Sequence, residues 1–232
     1  MNLAARLLLL VPLVSLVAAT LVLIPVPTPV LGPAVGGSLA PAAHAWPVDP
    51  HDQRWTPTPE SPTAEGYAVP VRRRVTYSVT TRGGISTPLA VFRRQAQETY
   101  DDPRGWRTAG VQFRRVPRGG SFTLVLAAAN VVESFSSGCS AQWSCRVGRF
   151  VIINQERWKH ASPAWNAARG SLRDYRHMVV NHETGHWLGR GHASCPAGGG
   201  RAPVMMQQSK GTGGCRLNPW PLGWEAAAVR GR

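Results

Sequence analysis

Between Arg74 and Thr81 apolar and polar positions alternate, and Val75, Tyr77 and Val79 share one face, which predicts a strand. Gly83-Gly84 breaks that pattern. Pro88 then stands where a first helical turn tolerates it, and Leu89, Phe92, Ala96 and Thr99 follow at helical spacing until Asp102-Pro103-Arg104-Gly105. Short strands are predicted at Val111 to Val116 and Phe122 to Ala128, separated by Pro117 and Gly119-Gly120. After a loop bracketed by Cys139 and Cys145, the run from Arg149 to Asn154 predicts an apolar strand. A long helix is expected from about Ser171 to Leu188, with Ser171 as N-cap and Asp174 as its acidic partner. The order strand, helix, three strands, helix argues an α/β (α+β) fold with a twisted sheet backed by helices.

The chain before this domain is different in kind. Arg6 is the only charge ahead of an uncharged stretch from Leu7 to Ile24. As a helix that stretch would span about 27 Å, close to a bilayer core. Residues 1–45 are therefore expected to be a signal peptide or a signal anchor. Ala43-His44-Ala45 fits the small-x-small pattern of cleavage, but its distance from the apolar run favours a retained anchor, which would make the membrane a partner. Either reading exports the remainder, secreted or held on the outer face of the membrane. Residues 46–70, rich in proline, predict an extended linker, and 71–232 the folded domain.

Composition adds two constraints. The net charge is +14, nearly all from arginine, with lysine only at 159 and 210. An anionic cell-surface polymer is one expected partner of such a chain, against the plainer reading of an arginine-biased, solvated surface. No arginine run interleaves with aromatics, so no nucleic acid is expected. The four cysteines, 139, 145, 195 and 215, suggest two disulfides in an exported chain. Three pairings are open, of which the local one, Cys139 with Cys145 and Cys195 with Cys215, is favoured. A zinc-binding cysteine cluster is the alternative, but C-x-x-C spacing is lacking.

The chemistry concentrates in His182-Glu183-Thr184-Gly185-His186-Trp187-Leu188-Gly189-Arg190-Gly191-His192. Four residues apart on a helix, His182 and His186 project from one face and can meet one Zn²⁺. Glu183, about 100° round the axis, can reach a water beside the metal and act as general base. Gly189 supplies a left-handed stop, after which the reversed chain can bring His192 under the metal as third ligand. Histidines 44, 51, 160 and 177 lack such companions and receive no role.

This motif resembles that of the metzincin zinc proteases. The resemblance implies a metzincin-like zincin fold, a long active-site helix, one catalytic Zn²⁺ and a methionine in a turn beneath it. Pro203-Val204-Met205-Met206 lies at a suitable distance; Met205 is the better match, with Met206 left open. The tail is also similar to a poorly characterised family of secreted bacterial zinc proteases. The matching residues are Asp102-Pro103-Arg104-Gly105-Trp106, Cys195-Pro196, Pro203-Val204-Met205, Gly214-Cys215 and Asn218-Pro219-Trp220-Pro221. Gln207-Gln208 replaces the Tyr or Pro that marks some metzincin branches, and Ala193 follows His192 where an Asp stands in others. The implied activity is endopeptidase action on an exported protein or peptide substrate, bound along a strand before the active helix, for which Phe122 to Ala128 is the candidate. Two alternatives remain: a zinc amidase acting on cell-wall peptides, and a surface binding protein with structural zinc only.

Overall fold

The computed structural model describes residues 69–196 and 198–231. The expected signal or anchor segment and all but the end of the Pro-rich linker lie outside them. Among the described residues no helix is long and apolar enough to cross a membrane.

Strand β1 (Arg73–Arg82) keeps the predicted alternation, with Val75 and Tyr77 buried. Helix α1 (Leu89–Asp101) buries Phe92, Ala96, Thr99 and Tyr100 along one stripe. β2 (Val111–Arg115) and β3 (Phe122–Ala127) follow, then a short helix α2 (Ala129–Val132). β4 (Cys145–Val147) and β5 (Phe150–Asn154) form a tight pair inside and after the cysteine loop. Two short helices, α3 (Gln155–His160) and α4 (Pro163–Ala167), lead into α5 (Leu172–Trp187), and α6 (Gly223–Arg230) closes the chain.

The five strands make one mixed sheet in the order β2-β1-β3-β5-β4. The pairs β1–β2, β1–β3 and β3–β5 are parallel, while β4 runs antiparallel to β5 and forms an edge. The main core lies on one face, where Tyr77, Phe113, Phe122, Leu124, Leu126, Val151 and Ile153 meet α1 and α5. A smaller cluster of Val125, Ala127, Val132, Cys139 and Ile152 covers part of the other face. Covering on both faces explains why β3 is apolar at nearly every position instead of alternating.

One expectation is overturned here. β3 is hydrogen-bonded on both sides, to β1 and to β5, so it has no free edge for an added peptide strand. The edge on the cysteine-loop side is β4, a three-residue strand too short to betray itself by alternation.

Candidate metal centre

Ser171 caps α5 as expected: its Oγ accepts the amide of Asp174 at 3.0 Å. Sixteen residues later the helix ends in a Schellman turn. Gly189 takes φ 84°, its N–H donates to His186 O (3.0 Å), and the Arg190 N–H donates to Gly185 O (2.9 Å). A side chain at that φ would be strained, so glycine is what lets the chain reverse. The reversal brings His192 back against the helix, and the candidate ligand atoms of His182, His186 and His192 all lie within 4.8 Å of one another.

The protonation pattern of these rings follows from their partners. His182 Nδ1 lies 2.8 Å from Val204 O and His186 Nδ1 lies 2.8 Å from Arg190 O. A carbonyl only accepts, so each Nδ1 carries the proton and each neutral ring turns a bare Nε2 inward. There His186 Nε2 sits 3.2 Å from His182 Nε2 and 3.1 Å from His192 Nε2. Protonation does not relieve the crowding. Burial, and then the neighbouring His186, lower the pKa of His182 to about 3; burial first also lowers His186 and His192. The bare Nε2 atoms of His182 and His186 face each other with the His192 Nε2 beside them, a donor set that fits a divalent transition metal. The carbonyl partners on the outer nitrogens fix tautomer and ring orientation, as around a metal ligand.

Glu183 is 6% exposed and borders the same cleft. Burial pushes its pKa up to about 8, and Arg146 works against that shift. The cleft has a volume of about 320 Å³; the cysteine loop with β4 forms one wall, α5 the floor, and Gln207 to Lys210 another wall.

Beneath the histidines lies the turn that carries Met205, which is 1% exposed, whereas Met206 is half-buried. Met205 Sδ would stand 2.2 Å from a Cβ built on Gly185, which directly precedes His186, and a ring carbon of Trp106 would stand 2.8 Å from it. Glycine at 185 is therefore what allows Met205 and Trp106 to close on the helix. The turn is tied from three sides. Val204 O accepts from His182, Met205 O accepts from Ala193 N (3.0 Å), and the buried Glu225 carboxylate of α6 accepts from Val204 N (3.0 Å) and Met205 N (2.9 Å). Glu225 also accepts from Leu222 N at 2.7 Å. The fully buried Gln208 adds a further brace, donating to Pro203 O (3.1 Å) and Asn218 O (2.7 Å) and accepting from Asn218 N (2.9 Å). The Cys195–Cys215 disulfide spans this whole segment, and Cys139–Cys145 closes the loop on the opposite side of the sequence motif.

The sequence-predicted residues thus gather at one place: three histidines and Glu183 at the cleft, Gly189 at the reversal, Met205 under the helix. Glu225 has no role in the sequence reading, and Gln208 figures there only as a departure from other metzincin branches, not as a brace. Glu225 had a legible signal, being the only acidic residue after Glu183.

Residues 52–217 match the family described as protein of unknown function (DUF3152). No curated protein matches the chain. Among solved structures, archaemetzincin from Methanopyrus kandleri is similar at 18% identity over 70% of this chain and 97% of that one, with a TM-score of 0.41. Similarity at that level assigns no chemistry to this chain.

Proposed function

The chain belongs to the family described as protein of unknown function (DUF3152), and from its site we propose that it is a zinc-dependent endopeptidase of the metzincin type. One observation carries the reading: three converging imidazole Nε2 atoms on a helix and its reversal share an open cleft with a buried carboxylate. A structural zinc normally has four protein ligands and needs no acid–base group. Here three histidines and one carboxylate at an open cleft support catalysis instead.

His182, His186 and His192 hold the ion, which when bound supplies a Lewis acid that polarises a scissile carbonyl and acidifies water. The carbonyls of Val204 and Arg190 keep the first two rings in the ligating tautomer. The charge of a bound cation would offset the burial that raises the Glu183 pKa, so its carboxylate takes the proton of the attacking water as the water oxygen adds to the carbonyl carbon, and returns it to the amine as the C–N bond breaks. Edge strand β4 offers unpaired backbone groups along one cleft wall, which suits an extended peptide bound by strand addition. Two disulfides support an oxidising, extracytoplasmic setting, consistent with export by the segment within 1–45.

The test is digestion of a peptide library by the zinc-loaded chain, with Glu183→Ala and chelator-treated protein in parallel. Cleavage that falls by about 10²–10⁴-fold in the variant, at unchanged zinc content, is expected. Equal cleavage by both proteins removes Glu183 from the mechanism.

A further inference from the structure

We infer that the cleft selects peptides bearing a carboxylate beside the scissile bond, held between Arg146 and Lys210. The inference rests on the reading of this cleft as a peptide site. Arg146 stands at the centre of β4, whose neighbours Cys145 and Val147 lean on the small apolar cluster of the outer sheet face. Alternation along the strand turns Arg146 to the opposite face, where it borders the cleft beside His186 and Glu183. Lys210 comes from the wall that follows the methionine turn, and it borders the same cleft at His192.

Both cations are mounted on braced segments. Cys145 is bonded to Cys139, and the loop between them is pinned by buried Asn154, whose Nδ2 donates to Ala141 O (2.7 Å) and whose N–H donates to Ser144 Oγ (3.1 Å). Lys210 lies inside the loop closed by Cys195–Cys215, and its N–H donates to Gln207 O at 2.8 Å. The two walls approach each other at Trp143 of the cysteine loop, where Lys210 Nζ lies 5.9 Å from the ring centroid.

The charge balance of the cleft is one-sided. Among the described residues Glu183 is the only carboxylate lining it, and it is buried with a water-activating task. Among the described residues no salt bridge joins Arg146 or Lys210 to an acidic side chain. Two cations without a salt-bridge partner at the cleft attract anionic substrate groups and repel lysine or arginine at the same positions. Acidic side chains of exported proteins and the carboxylates of cell-wall stem peptides both present this chemistry.

The experiment has two arms, run on the zinc-loaded full chain, on Arg146→Gln/Lys210→Gln and on Arg146→Glu/Lys210→Glu, with melting curves and zinc content as controls. In the cleavage arm, matched peptides carrying Asp or Glu, Asn or Gln, or Lys around one bond compete, alongside a muropeptide digest. A preference of roughly five- to tenfold in kcat/KM for Asp or Glu over the amides is expected, lost in the glutamine variant and inverted towards Lys in the glutamate variant. In the binding arm, fluorescence anisotropy measures the acidic peptide and its amide counterpart on Glu183→Ala. Tighter binding of the acidic peptide without any cleavage by wild type supports the selection and sinks the peptidase reading. Cleavage indifferent to substrate charge and to both double variants overturns the selection and leaves the peptidase intact. Stem-peptide release above that of linear peptides identifies the wall as the source of the carboxylate.

Discussion

Gly185 sits between two metal-ligating positions and has no chemistry of its own, yet the site is built round its missing side chain. An alanine there would gain about 1 kcal/mol of helix propensity. It would also drive a methyl into Met205 Sδ at 2.2 Å and into the buried Trp106 ring at 2.8 Å. The Trp106 ring cannot simply retreat, because its Nε1 donates to Asn181 O at 3.0 Å. Overpacking of a closed core costs about 1–3 kcal/mol or more. Gly185→Ala is therefore expected to lower the unfolding free energy from urea titration by up to about 2 kcal/mol net of the propensity gain, and to weaken zinc binding as Met205 is displaced. An unchanged midpoint would mean that Met205 moves freely.

At the scale of elements, the metal turn depends on a helix far from it in sequence. α6 contributes one carboxylate, and that carboxylate fills the hydrogen-bonding needs of Val204 and Met205, two residues from the turn whose carbonyls also hold His182 and Ala193. Glu225→Ala leaves those amides buried without acceptors, each at about 1–3 kcal/mol. Glu225→Gln keeps the volume and one acceptor oxygen. Chelator competition should rank zinc affinity as wild type, then Gln, then Ala; if Gln equals wild type and Ala matches both, the carboxylate is only filling space.

The same scale shows what the sequence could disclose. The ligand motif was legible because each residue type had a geometric task at a fixed spacing, and the long helix announced itself through Ser171, Asp174 and Gly189. β1, α1, β2, β3 and β5 fall within a residue or two of their expected limits, since each is long enough for periodicity to register. β4, α3 and α4 were missed because three to six residues carry no period. α6 was missed because it is only eight residues long and alanines surround its buried positions, so no period stands out in the sequence, and with it went Glu225. The substrate edge was misplaced for a different reason: strand order is set by pairing between distant segments, and no local pattern in Phe122–Ala127 tells an interior strand from an edge.

For the whole molecule, stability and the site share their supports. The two disulfides close the walls of the cleft, and the larger one, spanning 20 residues, constrains the unfolded chain by about 3 kcal/mol in the loop-entropy view. Acid works against this fold through buried neutral histidines. His177, whose Nδ1 is 2.9 Å from Thr99 Oγ1, has its pKa lowered to about 3 by burial, with Arg173 and Arg104 adding to the shift. Folding therefore disfavours its proton: the stability it contributes is full above about 6.5 and is lost as pH falls from there towards about 3. Urea midpoints of the metal-free protein should decline through that window, and His177→Gln should flatten the decline without abolishing it, since His182 shares the sign. A slope unaffected by His177→Gln would contradict its neutral burial.

Site, walls and braces all serve three imidazoles at the end of α5 that converge on one zinc ion. Zinc-edge X-ray absorption on the purified, zinc-loaded chain tests that convergence directly. One zinc per chain, three imidazole nitrogens at about 2.0–2.1 Å, no sulfur, and loss of the bound ion in His192→Ala are expected. A chain that binds no zinc, a sulfur scatterer near about 2.3 Å, or an unaltered spectrum in His192→Ala would contradict it.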